Sequence, residues 1–204
     1  MINRKIAVFD FDGTITRRDT LLPFIASYGY RNIFRAVLIT LFQKKSRSFS
    51  DTMIGNLIRT AFKGCTVEKF LIDGIKYAEQ LKSRFRPDTL KLITEHKGKG
   101  HELVMVTASL ATYTCPVGAS LGFDHVIAVE LEDMTGSLTG EMTGANVRGM
   151  EKARVLREWL GGETAEIWGY GDSRGDKEML TMADHQVWVL SLIHISDPTR
   201  PLYI

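Results

Sequence analysis

Three short apolar runs punctuate the chain: Ile6-Ala7-Val8-Phe9, Leu103-Val104-Met105-Val106 and Ala165-Glu166-Ile167-Trp168. The first two show no polar alternation, as expected of strands covered on both faces in a parallel sheet, and each of the three ends in small or polar residues. Helical patterns separate them. Pro87-Asp88-Thr89 opens a helix that runs through Leu90 and Ile93 and stops at Gly98 and Gly100. Met150 to Leu160 forms another, with Val155/Trp159 and Leu156/Leu160 one turn apart and Gly161-Gly162 closing it. Strands alternating with helices predict an α/β fold with a Rossmann-like parallel sheet.

The stretch from Thr16 to Arg86 breaks this rhythm. It is helical almost throughout, interrupted near Gly29, Ser46–Ser50 and Gly64, and it is too long for a single crossover. We read it as a helical insertion after the first strand. Residues Val126 to Thr139 alternate loosely and carry Thr135-Gly136, which predicts a β-hairpin. The expected layout is a catalytic core over 1–15 and 87–189 and a helical insertion over 16–86. The last segment, 190–204, has two prolines and neither period; it reads as translated adapter sequence and is set aside as a non-native tail.

Composition changes this picture little. Of 204 residues 44% are hydrophobic and 25% charged, enough apolar mass for one good-sized core. A net charge of +2 argues against nucleic acid as a partner. The two cysteines, Cys65 and Cys115, stand in no metal or redox spacing, and no leader or spanning segment is evident, so the cytoplasm is the expected location. Charge is uneven, however. No acid falls between Asp19 and Asp51, whereas Arg31, Arg35, Lys44, Lys45 and Arg47 do, among the stripes Ile33-Phe34, Val37-Leu38 and Leu41-Phe42. Such a basic amphipathic helix is either a packed helix with a solvated face or a surface for anionic head groups.

In open α/β sheets ligands bind beyond the carboxyl ends of the strands. The first strand is followed by Asp10-Phe11-Asp12-Gly13-Thr14, the second by Thr107-Ala108-Ser109, the third by Gly169-Tyr170-Gly171-Asp172-Ser173 and then Asp176. Lys152 sits in the first turn of its helix, where it opposes the helix dipole unless an anion binds there. Carboxylates gathered without offsetting arginines repel one another, and a hard divalent cation such as Mg2+ removes the conflict.

These segments resemble the four motifs of the haloacid dehalogenase superfamily, in order, over positions 5 to 189. Asp10 to Thr14 is similar to the nucleophile motif, Val104-Met105-Val106-Thr107 to the second, Lys152 to the third, and Gly171-Asp172-Ser173-Arg174-Gly175-Asp176 to the fourth. The insertion stands where that superfamily carries its type-one cap, and its helical content resembles the phosphoserine-phosphatase-like branch. Ser137-Leu138-Thr139-Gly140 resembles the same branch. The resemblance implies a Mg2+-dependent phosphatase with Asp10 as nucleophile and Asp12 as general acid and base. Thr107 and Lys152 would hold the phosphate. Asp10, Asp172 and the Asp12 carbonyl would bind the metal, with Asp176 completing its surroundings.

Plainer roles compete. Ser173 and Asp176 have the spacing of a capping box, Thr16 and Asp19 that of a cap, and Ser109 rivals Thr107 for the phosphate. A phospho-aspartate signalling receiver lacks an acid two residues beyond its nucleophile and has no cap; a non-catalytic binding module would not need every position filled. In phosphoserine phosphatases a glutamate stands where this chain has Asp19, and Arg59 and Arg84 are candidates, by type only, to read a substrate carboxylate. The expected substrate is a small phosphate monoester or a lipid phosphate.

Overall fold

The computed structural model describes residues 4–42 and 49–189. The tail and the basic residues Lys44, Lys45 and Arg47 lie outside them. The chain runs through β1 (Arg4–Phe9), α1 (Leu21–Ser27), α2 (Tyr30–Phe42), α3 (Phe49–Phe62), α4 (Val67–Leu81) and α5 (Pro87–Gly98). It continues through β2 (Glu102–Leu110), α6 (Ala111–Leu121), β3 (His125–Val129), β4 (Leu131–Met134), β5 (Ser137–Met142) and α7 (Met150–Leu160). The last elements are β6 (Ala165–Gly171), α8 (Lys177–Thr181) and β7 (His185–Trp188).

Five strands form a parallel sheet in the order β3-β2-β1-β6-β7, so β1 is central and pairs with both β2 and β6. Its run Ile6 to Phe9 has no solvent exposure, because helices cover both faces of a sheet built by crossovers. Phe9 stacks on Tyr170 of β6 at 4.4 Å, which ties the central strand to its neighbour just below the carboxyl edge.

All three predicted strands are present, each longer than its apolar run. β2 continues to Leu110 through a register shift after Val106, so Thr107 and Ser109 belong to an irregular strand end rather than to a loop. The loosely alternating stretch divides in two. Its first part is β3, an edge of the parallel sheet; the hairpin is β4 and β5, turning at Thr135-Gly136, where both residues have positive φ.

The predicted helical insertion holds α1 to α4, with breaks at Gly29 and Gly64; of the break expected at Ser46–Ser50, Phe49 and Ser50 belong to α3 and the rest lies outside the described residues. Two linkers join it to the sheet. They run side by side: Arg86 N donates to Ile15 O at 2.8 Å, Arg17 N to Arg84 O at 3.0 Å, and Thr16 bridges Phe85. An aromatic cluster continues the core upward, with Phe24 of α1 at 5.0 Å from both Tyr77 of α4 and Tyr113 of α6. At Gly74 in α4 an added Cβ would lie 2.4 Å from the backbone oxygen of Thr112 in α6, so the two helices meet backbone to backbone. The hairpin braces the same unit, because Leu138 N donates to Cys65 O at 2.8 Å and Val67 N to Gly136 O at 3.0 Å.

Candidate active site

The six residues singled out from the sequence, Asp10, Asp12, Thr107, Lys152, Asp172 and Asp176, all line one cleft of about 410 Å³ at the carboxyl edge of the sheet. Position in the sheet explains the convergence. Asp10 follows the central strand, Thr107 lies where β2 turns irregular on one side of it, and Asp172 follows β6 on the other.

Asp10 is buried, and three groups hold it. Its N–H donates to Tyr170 O at 2.9 Å, Thr14 Oγ1 donates to its Oδ2 at 3.0 Å, and Lys152 Nζ donates to its Oδ1. The same ammonium donates to Asp176 Oδ1 at 2.5 Å. Lys152 is itself buried. Burial works against its charge, but the carboxylates of Asp10 and Asp176 outweigh that and raise its pKa. Burial pushes the Asp10 carboxyl above the usual carboxylate range, against the pull of Lys152.

Asp176 spends its second oxygen on the loop that carries Asp172. Oδ2 accepts from Asp172 N at 3.2 Å, Ser173 N at 3.0 Å and Ser173 Oγ at 2.9 Å. The predicted capping box is therefore formed, and it also fixes the loop beside Lys152. Asp172 is held above by Gly13, whose φ is +81° and whose added Cβ would lie 2.0 Å from Asp172 Oδ2. Only glycine fits this position, for both reasons.

One carboxylate oxygen from each of Asp10, Asp172 and Asp176 falls within 4.8 Å of the others. Three carboxylates against the single ammonium of Lys152 leave two negative charges, the charge of one divalent cation. The conflict shows in Asp172, whose pKa is pushed up to about 7 by burial first and then by Asp10 and Asp176. Oxygen ligands on one magnesium stand roughly 3–4 Å apart at bond lengths of about 2.1 Å, so three carboxylates gathered this closely suit that ion once they draw in around it.

Asp12 stands apart from this group. Its Oδ1 accepts from Thr20 N at 2.8 Å and its Oδ2 from Ser109 Oγ at 2.5 Å. Burial lifts its pKa to about 7, although the hydrogen bond from Ser109 opposes the rise. Ser109 is thus the partner of the acid, while Thr107 Oγ1 accepts from Ser109 N at 3.0 Å and orders the strand end.

Asp19 lies in the cleft wall and accepts from Leu22 N at 3.0 Å, so it caps the start of α1, whereas Thr16 hydrogen-bonds to backbone oxygens of Phe11 and Arg18 instead of sharing a box with it. Neither arginine proposed as a substrate reader lines the cleft. Arg59 pairs with Glu141 of β5 at 2.6 and 2.8 Å, and Arg84 gives its backbone oxygen to the linker. The arginines that do line it are Arg17, Arg18 and Arg148, which sequence reasoning passed over; nearness along the chain to Asp12 and to Lys152 was the available signal. The helices of the insertion contribute Leu21 and Ile54, both apolar, and the linker that leads into them contributes Arg17, Arg18 and Asp19.

Comparison with known proteins agrees with this geometry. The defining pattern of the haloacid dehalogenase-like hydrolases matches residues 7–181. The chain belongs to that family and is an enzyme of its hydrolase type. Within it, the chain is phosphoserine-phosphatase-like. It is 23% identical to a phosphoserine phosphatase of Archaeoglobus fulgidus over 88% of this chain and 51% of that protein. A solved phosphoserine phosphatase holding a phospho-aspartyl intermediate analogue superimposes with a TM-score of 0.66 at 18% identity, covering 91% of this chain and 86% of the other. Protein CicA of Caulobacter vibrioides is 31% identical over 89% of this chain and 84% of its own length.

Proposed function

We propose that this chain is a Mg2+-dependent phosphatase that hydrolyses a phosphate monoester through an aspartyl-phosphate on Asp10. The observation that carries the reading is a division of labour among the acids. Asp10 sits with Lys152, Asp172 and Asp176, whereas Asp12 is held separately, by Ser109 and Thr20, at a pKa near neutrality.

Asp10 attacks phosphorus in line. The new Asp10–phosphorus bond forms as the bond to the leaving alkoxide breaks, and Asp12 delivers its proton to that oxygen. A water then attacks the aspartyl-phosphate, with Asp12 taking its proton, and phosphate leaves. A carboxyl with a pKa of about 7 is suited to both transfers, because each protonation state is well populated near neutral pH. Thr14 and Lys152 fix the direction of the Asp10 carboxylate, and Lys152 with Thr107 receives the non-bridging oxygens, already in place before charge develops on them. A magnesium ion held by Asp10, Asp172 and the Asp12 carbonyl, with Asp176 as outer support, would neutralise the repulsion between nucleophile and phosphate. Residues 16–86 act as the cap, excluding water above the strand ends.

For the substrate, the relatives favour a small phosphorylated metabolite of the phosphoserine kind. A lipid phosphate is the second reading, favoured by α2: Tyr30 is 79% and Phe34 66% exposed, and Arg31 and Arg35 lie on the same helix, a surface suited to anionic head groups. Among the described residues no helix is long and apolar enough to cross a membrane. The free thiols of Cys65 and Cys115 fit a cytoplasmic location.

The test is release of phosphate from p-nitrophenyl phosphate. Activity should require Mg2+, vanish in EDTA and return on adding the ion. Asp10→Asn should lose at least about 1,000-fold in kcat, since removal of a nucleophile leaves only binding and electrostatic contributions. Steady turnover by Asp10→Asn near the wild-type rate would refute the covalent route.

A further inference from the structure

We infer that α2 is an interfacial helix, which docks the insertion on the surface of an anionic lipid bilayer. This goes beyond the phosphatase reading, because it concerns where the chain sits and not which ester it cleaves.

A helix turns about 100° per residue, which sorts the side chains of α2 into three sectors. Tyr30, Phe34, Val37 and Leu38, at i, i+4, i+7 and i+8, form one stripe, and all four are exposed. Arg31 and Arg35 lie one turn apart along its flank and are exposed too. Ala36, on the far side, is fully buried, and α2 packs along α3. The fold has thus covered one face of the helix and left an apolar stripe with a basic border outside. A surface helix held only by its own domain turns polar residues outward.

Charge selects what meets this face. Positions 20–50 hold Arg31, Arg35, Lys44, Lys45 and Arg47 and no acid. A second copy of the chain suits it poorly, because pairing α2 with α2 about a two-fold axis sets arginines against arginines. Helix α4 gives the contrast. Its Leu71, Ile72 and Ile75 are exposed as well, yet Glu68, Asp73 and Glu79 stand among them against Lys69 and Lys76. An apolar stripe bordered by cations alone matches anionic head groups over acyl chains. The rings enter the interface, and the guanidinium groups on their long stems stay at the level of the phosphates.

The same helix is tied to the cleft. It packs on α3 and α1, and those two put Ile54 and Leu21 into the cleft wall. Docking through α2 therefore brings the unit that walls the cleft to the bilayer. No described residue of α2 lines the cleft itself, so membrane binding and turnover can be measured apart.

The test is sedimentation of the full chain with vesicles of phosphatidylcholine alone, or with roughly a third of phosphatidylserine or of phosphatidylglycerol. Both anionic mixtures should bind at least about tenfold tighter than the neutral one and to similar extents, since surface charge is read and not one head group. Added salt should weaken the binding. Arg31→Gln with Arg35→Gln should lower it about tenfold or more, at roughly fivefold per cation near the surface. Phe34→Ser with Leu38→Ser should lower it by about tenfold or more as well. Leu71→Ser with Ile75→Ser, on α4, should leave it unchanged. All three variants should turn over p-nitrophenyl phosphate within about twofold of the parent, which also shows that they fold. Absence of binding, equal binding to neutral and anionic vesicles, or binding unmoved by the α2 substitutions would overturn the inference. So would a concentration-dependent dimer that Phe34→Ser with Leu38→Ser dissolves, since a second copy would then cover the face. A parent protein that binds anionic vesicles but releases no phosphate would count against the phosphatase reading alone.

Discussion

Replacing Gly13 by alanine tests whether Asp172 works from the position that Gly13 leaves open. Two costs are expected. The first is conformational, because φ at Gly13 is +81°, a region that costs an L-residue about 1–2 kcal/mol. The second is steric: the new methyl would lie 2.0 Å from Asp172 Oδ2 and 2.4 Å from its Cγ. Carbon and oxygen need roughly 3.2–3.5 Å, so the carboxylate must retreat by more than about 1 Å, a misplacement that costs on the order of 100-fold in rate. Gly136→Ala separates the two effects. Gly136 has φ +82° at the hairpin turn, but its added Cβ meets nothing within 4 Å among the described residues. Both variants should lose about 1–2 kcal/mol of stability, or roughly 2–8 °C in Tm at this chain length. Only Gly13→Ala should lose about 100-fold in kcat/KM on p-nitrophenyl phosphate, with a raised requirement for Mg2+. Measuring kcat/KM across a magnesium titration, with Tm alongside, checks both. If Gly13→Ala kept its rate and its magnesium dependence while losing the same stability as Gly136→Ala, Asp172 would not be the ligand we take it to be.

Two further predictions concern the frame around the site. Gly74→Ala, in the middle of α4, should destabilise the fold by about 1–3 kcal/mol despite the better helix propensity of alanine, because the methyl meets the Thr112 backbone oxygen at 2.4 Å. Gly98→Ala, at the exposed end of α5 with nothing within 4 Å among the described residues, should stabilise by about 0.5 kcal/mol; urea titrations giving the same sign for both would contradict the close approach of α4 to α6. His96 is buried between Tyr170 OH at 2.7 Å and His101 at 2.8 Å, and burial first, then His101, pushes its pKa down to about 4. With the unfolded value near 6.5, the unfolded chain takes up the proton first, so this contribution is intact above about pH 6.5 and is lost as pH falls toward 4. Screening by solvent leaves about 1–3 kcal/mol at stake. Urea unfolding at pH 7.5 and pH 5 should show a larger loss in the wild type than in His96→Gln, and equal losses would rule the histidine out as the cause.

The strands, their parallel arrangement and the residues that follow them were legible because those features are local. A buried parallel strand must be apolar at every position, as Ile6 to Val8 are, and a group at its carboxyl end needs only sequence adjacency to be placed. The capping box of Ser173 and Asp176 was legible for the same reason, since cap geometry spans three residues. The type-I′-like turn at Thr135-Gly136 was legible too, whereas the edge strands β3 and β7 were not, because half-exposed strands carry a weak apolar pattern.

Pairings between distant segments belong to the tertiary structure. Ser109 reaches Asp12, and Lys152 reaches Asp10 and Asp176 at once, only because the order β2-β1-β6 brings those three strand ends side by side. Arg59 was a reader by residue type until the hairpin supplied Glu141, and a guanidinium already paired with a carboxylate has little left for a substrate. The sequence by itself determined which residues are candidates for the chemistry, through local pattern and position after each strand. The packing decided which of them meet and what burial does to their charges, because desolvation and ion pairing depend on neighbours far away along the chain.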